Sequence, residues 1–156
     1  MLRSDDSAGS LKQIFGDAHI TKIMHGSDSD QRYLIGDLGI GTANIFDTAR
    51  AFSFIQRIPT LSAILSQNTS ASSFELISKH AEYSSLKKLC TVILDFEMDK
   101  YFCEADWKLR PLSEGMLDYA RGDSHYLIAI YSLLIKLINP FVFPATQPES
   151  KDLPLK

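Results

Sequence analysis

Apolar residues recur with a helical period through the last third of the chain. They are separated by alternating steps of four and three residues, which places them on one face of an α-helix. Ser113 can cap this helix at its start, and Asn139 with Pro140 should end it. The positions on the face are Met116, Ala120, Asp123, Leu127, Ile130, Leu134 and Leu137.

Asp123 is the one charged residue on this otherwise apolar face, which we expect to be buried. An ionised carboxylate in apolar surroundings is costly unless it is paired, hydrogen-bonded or bound to a cation. Tyr119 lies one turn earlier on nearly the same face, so the two residues form a Tyr-x-x-x-Asp pair. The helix alone leaves two interpretations open: a functional pair, or a surface tyrosine beside an aspartate that pairs with a cation such as Arg121.

The N-terminal part of the chain predicts short strands that alternate with helices. Caps and glycines mark the helix ends, and runs with β-branched residues mark the strands. The predicted elements are a helix end at Leu11–Phe15, a strand at Ile20–Met24, a helix at Ser29–Leu38 capped by Ser27 or Asp28, a strand at Asn44–Phe46, and a helix capped by Asp47 or Thr48 that reaches Ile55. This order predicts a parallel α/β unit.

Three ranges divide the chain. Residues 1–10 are predicted to be a flexible N-terminus, residues 11–139 a domain, and residues 140–156 an extended tail rich in proline. Within the domain, the serine-rich residues 59–83 are predicted to be an insertion with one or two short helices. A helix at Ser85–Leu94 and a loop at Asp95–Pro111 should follow.

Composition and charge narrow the function classes only slightly. The 156 residues are 45% hydrophobic and 22% charged, which is typical of a globular domain. Because the net charge is −3, contact with nucleic acid would need a local basic patch or metal ions. Cys90 and Cys103 lack the spacing of a zinc site or a disulfide framework, which favours a reducing, intracellular compartment. No apolar stretch resembles a signal peptide or a membrane span, so we expect no membrane partner.

Acidic residues also follow the first predicted strand. Asp28 and Asp30 lie between the carboxyl end of this strand and the next helix, where open α/β sheets place their ligand sites. Asp28 fits a helix cap, whereas Asp30 should project with Tyr33 and Leu34 toward the packed interior. The Asp-x-Asp spacing alone is a weak signal, because sugar-nucleotide transferases share it.

Five blocks of sequence carry a family resemblance. They are Lys22–Asp30, Gly36–Gly39, Phe46–Thr48, Ala105–Leu112 and Met116–Tyr126. In this order they resemble the 3′-5′ exonuclease domain of the RNase D and Rrp6 (exosome component 10-like) family. The resemblance is strongest to the exosome-associated branch, in which the Ala-Asp-Trp and Arg-Pro-Leu elements lie together. It implies a partial α/β fold of the ribonuclease H-like exonuclease type.

The resemblance also implies the residues of an active site. Asp30 matches the aspartate of the family's second motif, and Tyr119 and Asp123 match the third, tyrosine-containing motif. In such enzymes four acidic side chains hold two divalent ions, Mg²⁺ or Mn²⁺, roughly 3.5 to 4 Å apart. Asp30 and Asp123 would then be metal ligands, and Tyr119 would orient the attacking water.

The implied reaction is hydrolysis of single-stranded RNA from its 3′ end, which releases nucleoside monophosphates. The implied partners are RNA and subunits of the RNA exosome, and the implied location is the nucleus or nucleolus. A catalytically inert nucleic-acid-binding or exosome-interaction module is the alternative.

One family motif has no match in this chain. The first motif is Asp-x-Glu on the first strand, and Asp5-Asp6-Ser7 lacks both the glutamate and the strand. Asp95 and Glu97 form an Asp-x-Glu pair, but their spacing from the flanking blocks places them outside the sheet. We therefore expect an N-terminally truncated domain: a fragment, one part of a split protein, or a degenerate relative that only binds.

Overall fold

The computed structural model describes residues 6–67 and 85–142 as an α/β fold. Its elements are α1 (Asp6–Gly16), β1 (Lys22–Met24), α2 (Asp28–Leu38), β2 (Ile45–Asp47), α3 (Thr48–Arg57), α4 (Pro59–Gln67), α5 (Leu86–Leu94) and α6 (Glu114–Val142). The two strands pair in parallel, with Lys22 opposite Ile45 and Met24 opposite Asp47. The predicted order of strand, helix, strand and helix is confirmed.

Polar side chains cap three of these helices, and the caps at Asp47 and Ser113 were predicted. Asp47 caps α3 by accepting hydrogen bonds from the backbone N–H groups at residues 49 and 50. The Ser85 hydroxyl accepts from the Lys88 N–H at 3.4 Å, and the Ser113 hydroxyl accepts from the Met116 N–H at 3.3 Å. These bonds satisfy N–H groups that have no carbonyl partner within the helix.

The start of α2 is held in a different way from the predicted one. Ser27 occupies the N-cap position, but its hydroxyl makes no capping bond. It donates instead to the Asp47 carboxylate at 2.9 Å, and its oxygen accepts from the Gln31 side-chain amide at 2.9 Å. The predicted cap at Asp28 is also wrong, since Asp28 is the first residue of the helix and pairs with Arg50.

Asp47 joins the two halves of the β1–α2–β2 unit. Its carboxylate accepts from the Gly26 N–H at 3.1 Å and the Ser27 N–H at 2.8 Å, and it also caps α3. Burial pushes the pKa of Asp47 up, but hydrogen bonds from Ser27, Gly26 and the Arg50 N–H outweigh burial, so the pKa lies below its usual value. The charged form therefore stabilises the connection between the strands.

The core lies where α3 and α5 pack against the C-terminal half of α6 and where α4 packs against α3. Phe46 of β2 meets Tyr131 of α6 edge to face, with ring centroids 4.7 Å apart, so the sheet packs on the same helix. The core residues include Phe52, Ile55, Leu61, Leu89, Ile130 and Leu134, all fully buried. The apolar repeat of the long helix thus supplies one wall of the core from Ile130 onward.

Helix α2 is largely uncovered, which corrects an expectation about Asp30. No residue of this helix is buried, Tyr33 is 66% exposed, and Asp30 is exposed as well. The prediction that Asp30 faces the packed interior is therefore wrong for the described chain. Each strand has three residues and is about 10 Å long, whereas the eleven-residue helix α2 is about 16 Å long. The two-stranded sheet is therefore too short to cover α2.

The end of the C-terminal helix and the predicted insertion differ in part from the prediction. Helix α6 passes through Asn139 and Pro140 to Val142 instead of ending at them. Pro140 is tolerated there because its missing N–H removes one backbone hydrogen bond, and this bond lies in the final described turn of the helix. Helix α4 is one of the short helices predicted for residues 59–83, while residues 68–84, and residues 143–156 of the predicted tail, lie outside the described residues. Among the described helices, none is long and apolar enough to cross a membrane.

Replacing Asp47 with alanine should destabilise the fold. We expect the free energy of unfolding to fall by about 2 to 4 kcal/mol, because the change removes a helix cap and leaves two buried N–H groups without an acceptor. Asp37→Ala is the matched control, since Asp37 is exposed on α2. Urea denaturation followed by circular dichroism measures the free energy of unfolding of both variants. Equal stability of the two variants would contradict the role of Asp47.

The contribution of Asp47 should also disappear in acid. Its pKa is lowered in the folded state from 3.8, so its stabilisation is complete above that pH and is lost as the pH falls through the folded value. The difference in unfolding free energy between the wild type and Asp47→Asn should stay constant from about pH 7 to about pH 5 and shrink below about pH 4. Urea denaturation of the wild type and the variant at each pH measures this difference. A difference that grows in acid would contradict the expectation.

Candidate active site

Tyr119 and Asp123 lie on successive turns of α6. Tyr119 is half-buried, whereas Asp123 is exposed to solvent. The predicted burial of the Asp123 face is therefore wrong at this point of the helix, although Met116, Ile130 and Leu134 on the same face are buried. On α6, Ile130 and Leu134 belong to the core cluster and Tyr126 packs against it, while the turn of Asp123 is accessible.

The Asp123 carboxylate lies close to α5 and the loop that follows it. Partial burial raises the pKa of Asp123, and the positive charge of Lys100 opposes that shift. Burial and, secondly, the negative charge of Asp123 raise the pKa of the Cys90 thiol on α5 to about 11. Asp123 thus sits on a surface where its charge is only partly compensated, which favours a cation there.

Tyr119 is surrounded by the loop between α5 and α6. Its ring centroid lies 5.9 Å from that of Trp107 and 6.5 Å from that of Phe102. Burial, a hydrogen bond with the Cys103 side chain and the charge of Asp123 raise the pKa of Tyr119 to about 12. The hydroxyl is therefore protonated at neutral pH, and it can donate a hydrogen bond but cannot act as a base.

Asp30 lies in the first turn of α2, beside Asp28 and exposed to solvent. The loop that leads to it is fixed by His25 and Thr48: the two side chains are hydrogen-bonded at 3.0 Å, and the Thr48 hydroxyl donates to the Met24 carbonyl at 3.0 Å. His25 thus has a structural role in this loop. The position of Asp30 is set by the strand-to-helix turn and not by contacts of its own side chain with the core.

The described residues do not by themselves form a two-metal site. Asp30 and Asp123 offer carboxylate oxygens, which Mg²⁺ and Mn²⁺ prefer. In residues 6–67 and 85–142, however, no group of three or more His, Cys, Asp or Glu side chains is placed to hold a metal ion. Two carboxylates cannot neutralise two divalent ions, so the described set does not fit such a centre unaided.

Asp95 and Glu97 lie outside the sheet, as their spacing predicted. Asp95 ends α5 in the left-handed conformation, with φ of 51°. The Glu97 carboxylate forms an ion pair with Lys87 at 2.9 Å. Neither residue lies on a strand, so this Asp-x-Glu pair does not replace the first motif.

Comparison with known proteins shows the family of this chain. A profile of the 3′-5′ exonuclease family matches residues 2–139. This chain belongs to the 3′-5′ exonuclease family. The exosome complex component 10 homolog of Caenorhabditis elegans is 33% identical over 129 residues, which cover 83% of this chain and 12% of the relative. Protein RRP6-like 2 of Arabidopsis thaliana is 37% identical over 124 residues, which cover 80% of this chain and 12% of the relative.

Solved structures of two exonucleases share the fold of this family member. The catalytic core of RRP6 from Trypanosoma brucei has a TM-score of 0.60 at 26% identity, over 80% of this chain and 28% of the other. Escherichia coli RNase D has a TM-score of 0.64 at 23% identity, over 85% of this chain and 29% of the other. The predicted ribonuclease H-like exonuclease fold and family are confirmed. This chain spans about one eighth of the length of the curated relatives named above.

The sequence of this exonuclease-family chain did not predict that three further residues belong to the surroundings of Tyr119. Phe102 and Cys103 contact Tyr119 from the loop, and Gly115 lies against the Phe102 ring. The loop has no periodic pattern, so its sequence gives no sign of which side chains turn toward α6. Phe102 and Gly115 also line, with Phe96 and Tyr126, a cleft of about 320 Å³ beside Tyr119.

Tyr119 should ionise later than an ordinary tyrosine. Its pKa is raised from 10.0 to about 12, because burial and the charge of Asp123 both disfavour the phenolate. Nuclear magnetic resonance of ¹³Cζ-labelled tyrosine should show one signal that titrates at about pH 12 and is missing in Tyr119→Phe. Circular dichroism at each pH controls for unfolding. A Tyr119 signal that titrates at the ordinary value while the fold is intact would contradict this expectation.

Proposed function

We propose that this chain is part of a 3′-5′ exoribonuclease that hydrolyses RNA from its 3′ end to nucleoside monophosphates. The observation that carries the proposal is the Tyr119–Asp123 pair on one helix of an exonuclease-family chain, in which the charge of Asp123 helps to raise the pKa of Tyr119. A neutral tyrosine beside a carboxylate that lacks full charge compensation is suited to orient water near a bound cation.

Each residue of the site has a proposed role. Asp30 and Asp123 would be ligands for Mg²⁺ or Mn²⁺, together with further acidic side chains from outside the described residues. Tyr119 would donate a hydrogen bond that orients the attacking water, since its raised pKa keeps the hydroxyl protonated. Because the chain carries a net charge of −3, divalent cations would also be needed to attract the RNA phosphates.

The proposed partners follow from the names of the relatives. The relatives in Caenorhabditis elegans and Homo sapiens are named as components of the exosome complex. We therefore propose that the protein acts with exosome subunits on RNA in the nucleus. A co-purification that recovers RNA without any exosome subunit would limit the proposal to the nuclease.

A second candidate function is binding without catalysis. The described residues lack a three-ligand metal group, and this observation favours an inert nucleic-acid-binding or exosome-interaction module. The two functions differ in one measurable property. A module that only binds retains RNA in the presence of Mn²⁺ and leaves its length unchanged.

Digestion of RNA labelled at its 5′ end tests the proposed function. With Mn²⁺ or Mg²⁺ the protein should shorten single-stranded RNA stepwise and release mononucleotides. Asp123→Asn and Asp30→Asn should each lower the rate by about 100-fold or more, because each removes a charged ligand of the divalent cations that would activate the water and neutralise the charge on the phosphate. Asp37→Asn is the matched control, because it makes the same change two turns after Asp30 on the exposed surface of α2.

Two results would count against the nuclease. Intact RNA after incubation with either cation, with RNA still bound, would favour the inert module. Equal rates for Asp37→Asn and Asp123→Asn would show that any digestion comes from elsewhere. Chelation of the cations should stop the reaction in the wild type, and addition of Mn²⁺ should restore it.

A further inference from the structure

The loop between α5 and α6 places two aromatic rings beside Tyr119. The ring centroid of Trp107 lies 5.9 Å from that of Tyr119, and the planes are tilted by 46°. The ring centroid of Phe102 lies 6.5 Å away, in an edge-to-face arrangement at 64°. Such pairs contribute directional packing beyond simple burial. Phe102 and Trp107 are called the aromatic clamp below.

The aromatic clamp is internally tied. The indole Nε1–H of Trp107 donates to the Phe102 carbonyl at 3.2 Å, so the two residues hold each other in place. Tyr101 adds an edge-to-face contact with the outer side of Phe102, with ring centroids 5.0 Å apart. The two rings therefore reach Tyr119 as one unit instead of as independent side chains.

Gly115 provides the seat on which this unit rests. A Cβ atom at this position would lie 2.7 Å from two atoms of the Phe102 ring, a distance that real Cβ contacts essentially never show. Glycine is a poor helix former, and Gly115 lies near the start of α6. By contrast, Gly36 inside α2 has nothing within 4 Å of such a Cβ atom. The glycine in α6 thus permits a close approach of the ring, whereas the one in α2 does not serve packing.

Tyr119 is one turn after Gly115 on the same side of α6, so the seat and the tyrosine form one surface for the loop. A side chain that is free to rotate would spend much of its time away from the position that its chemistry needs, and small misplacements lower rates steeply. We propose that the aromatic clamp, seated on Gly115, positions Tyr119 for its part in hydrolysis. This inference rests on the proposed function and deepens it by naming the residues that act through Tyr119.

Gly115→Ala tests the seat, with Gly36→Ala as the matched control. Trp107 is the only tryptophan of the chain, so its fluorescence reports on the clamp directly. The emission maximum and anisotropy should change in Gly115→Ala and stay unchanged in Gly36→Ala. In RNA digestion, kcat of Gly115→Ala should fall about 10-fold or more while KM changes less than about twofold, because positioning acts on the chemical step.

Phe102→Leu gives a second, independent variant in case alanine at position 115 prevents folding. It removes the ring from Tyr119 and leaves the seat empty, so it should lower kcat in the same way. The ¹³C-labelled Tyr119 signal, identified by its loss in Tyr119→Phe, should shift in both clamp variants and stay in place in Gly36→Ala. This signal is observed without RNA and without catalysis.

The outcomes separate the two claims. A shifted Trp107 emission and Tyr119 signal with an unchanged kcat would overturn the positioning role and leave the nuclease intact. An unchanged Tyr119 signal in both Gly115→Ala and Phe102→Leu would overturn the clamp, whether or not RNA is digested. If no variant and no wild-type protein digests RNA, the proposed function fails, and a shifted Tyr119 signal still supports the clamp as the element that holds this side chain.

Discussion

The buried carboxylate of Asp47 is the constraint on which the N-terminal half of the structure depends. It accepts five hydrogen bonds, from the backbone at Gly26, Ser27, Ala49 and Arg50 and from the Ser27 hydroxyl. A buried charge is tolerated only when its oxygens are satisfied, and here the turn after β1 and the first turn of α3 supply the donors. One residue thereby caps a helix, ends a strand and fixes the turn that leads to Asp30.

The two parts of the candidate site are positioned by different means. Asp30 depends on backbone geometry, because its turn is tied down by hydrogen bonds while its side chain stays in solvent. Tyr119 and Asp123 depend on packing, because α6 is anchored in the core at its far end and covered by a loop near its start. Partial burial raises the pKa of both Tyr119 and Asp123 on α6, and the charge of Asp123 adds to the shift of Tyr119.

Much of the local structure could be predicted, because its signals act over a few residues. The caps at Asp47 and Ser113, the two strands and the helical repeat of α6 all follow from short-range hydrogen bonding and periodicity. The family resemblance likewise rested on residues in linear order, and the match to residues 2–139 confirms it. The exclusion of Asp95 and Glu97 from the sheet followed from the same resemblance, because their spacing from the flanking blocks matches a helix and loop of the family.

The sequence by itself determined which elements form, which family the chain belongs to and which three residues are candidates for the site. Only the tertiary structure decided what each side chain meets: that Ser27 serves Asp47, that α2 is uncovered, and that Asp123 is accessible. It also brought Phe102 against Gly115 beside Tyr119. The physical reason is that caps and periods are local, whereas burial and ring contacts depend on which distant segment packs there.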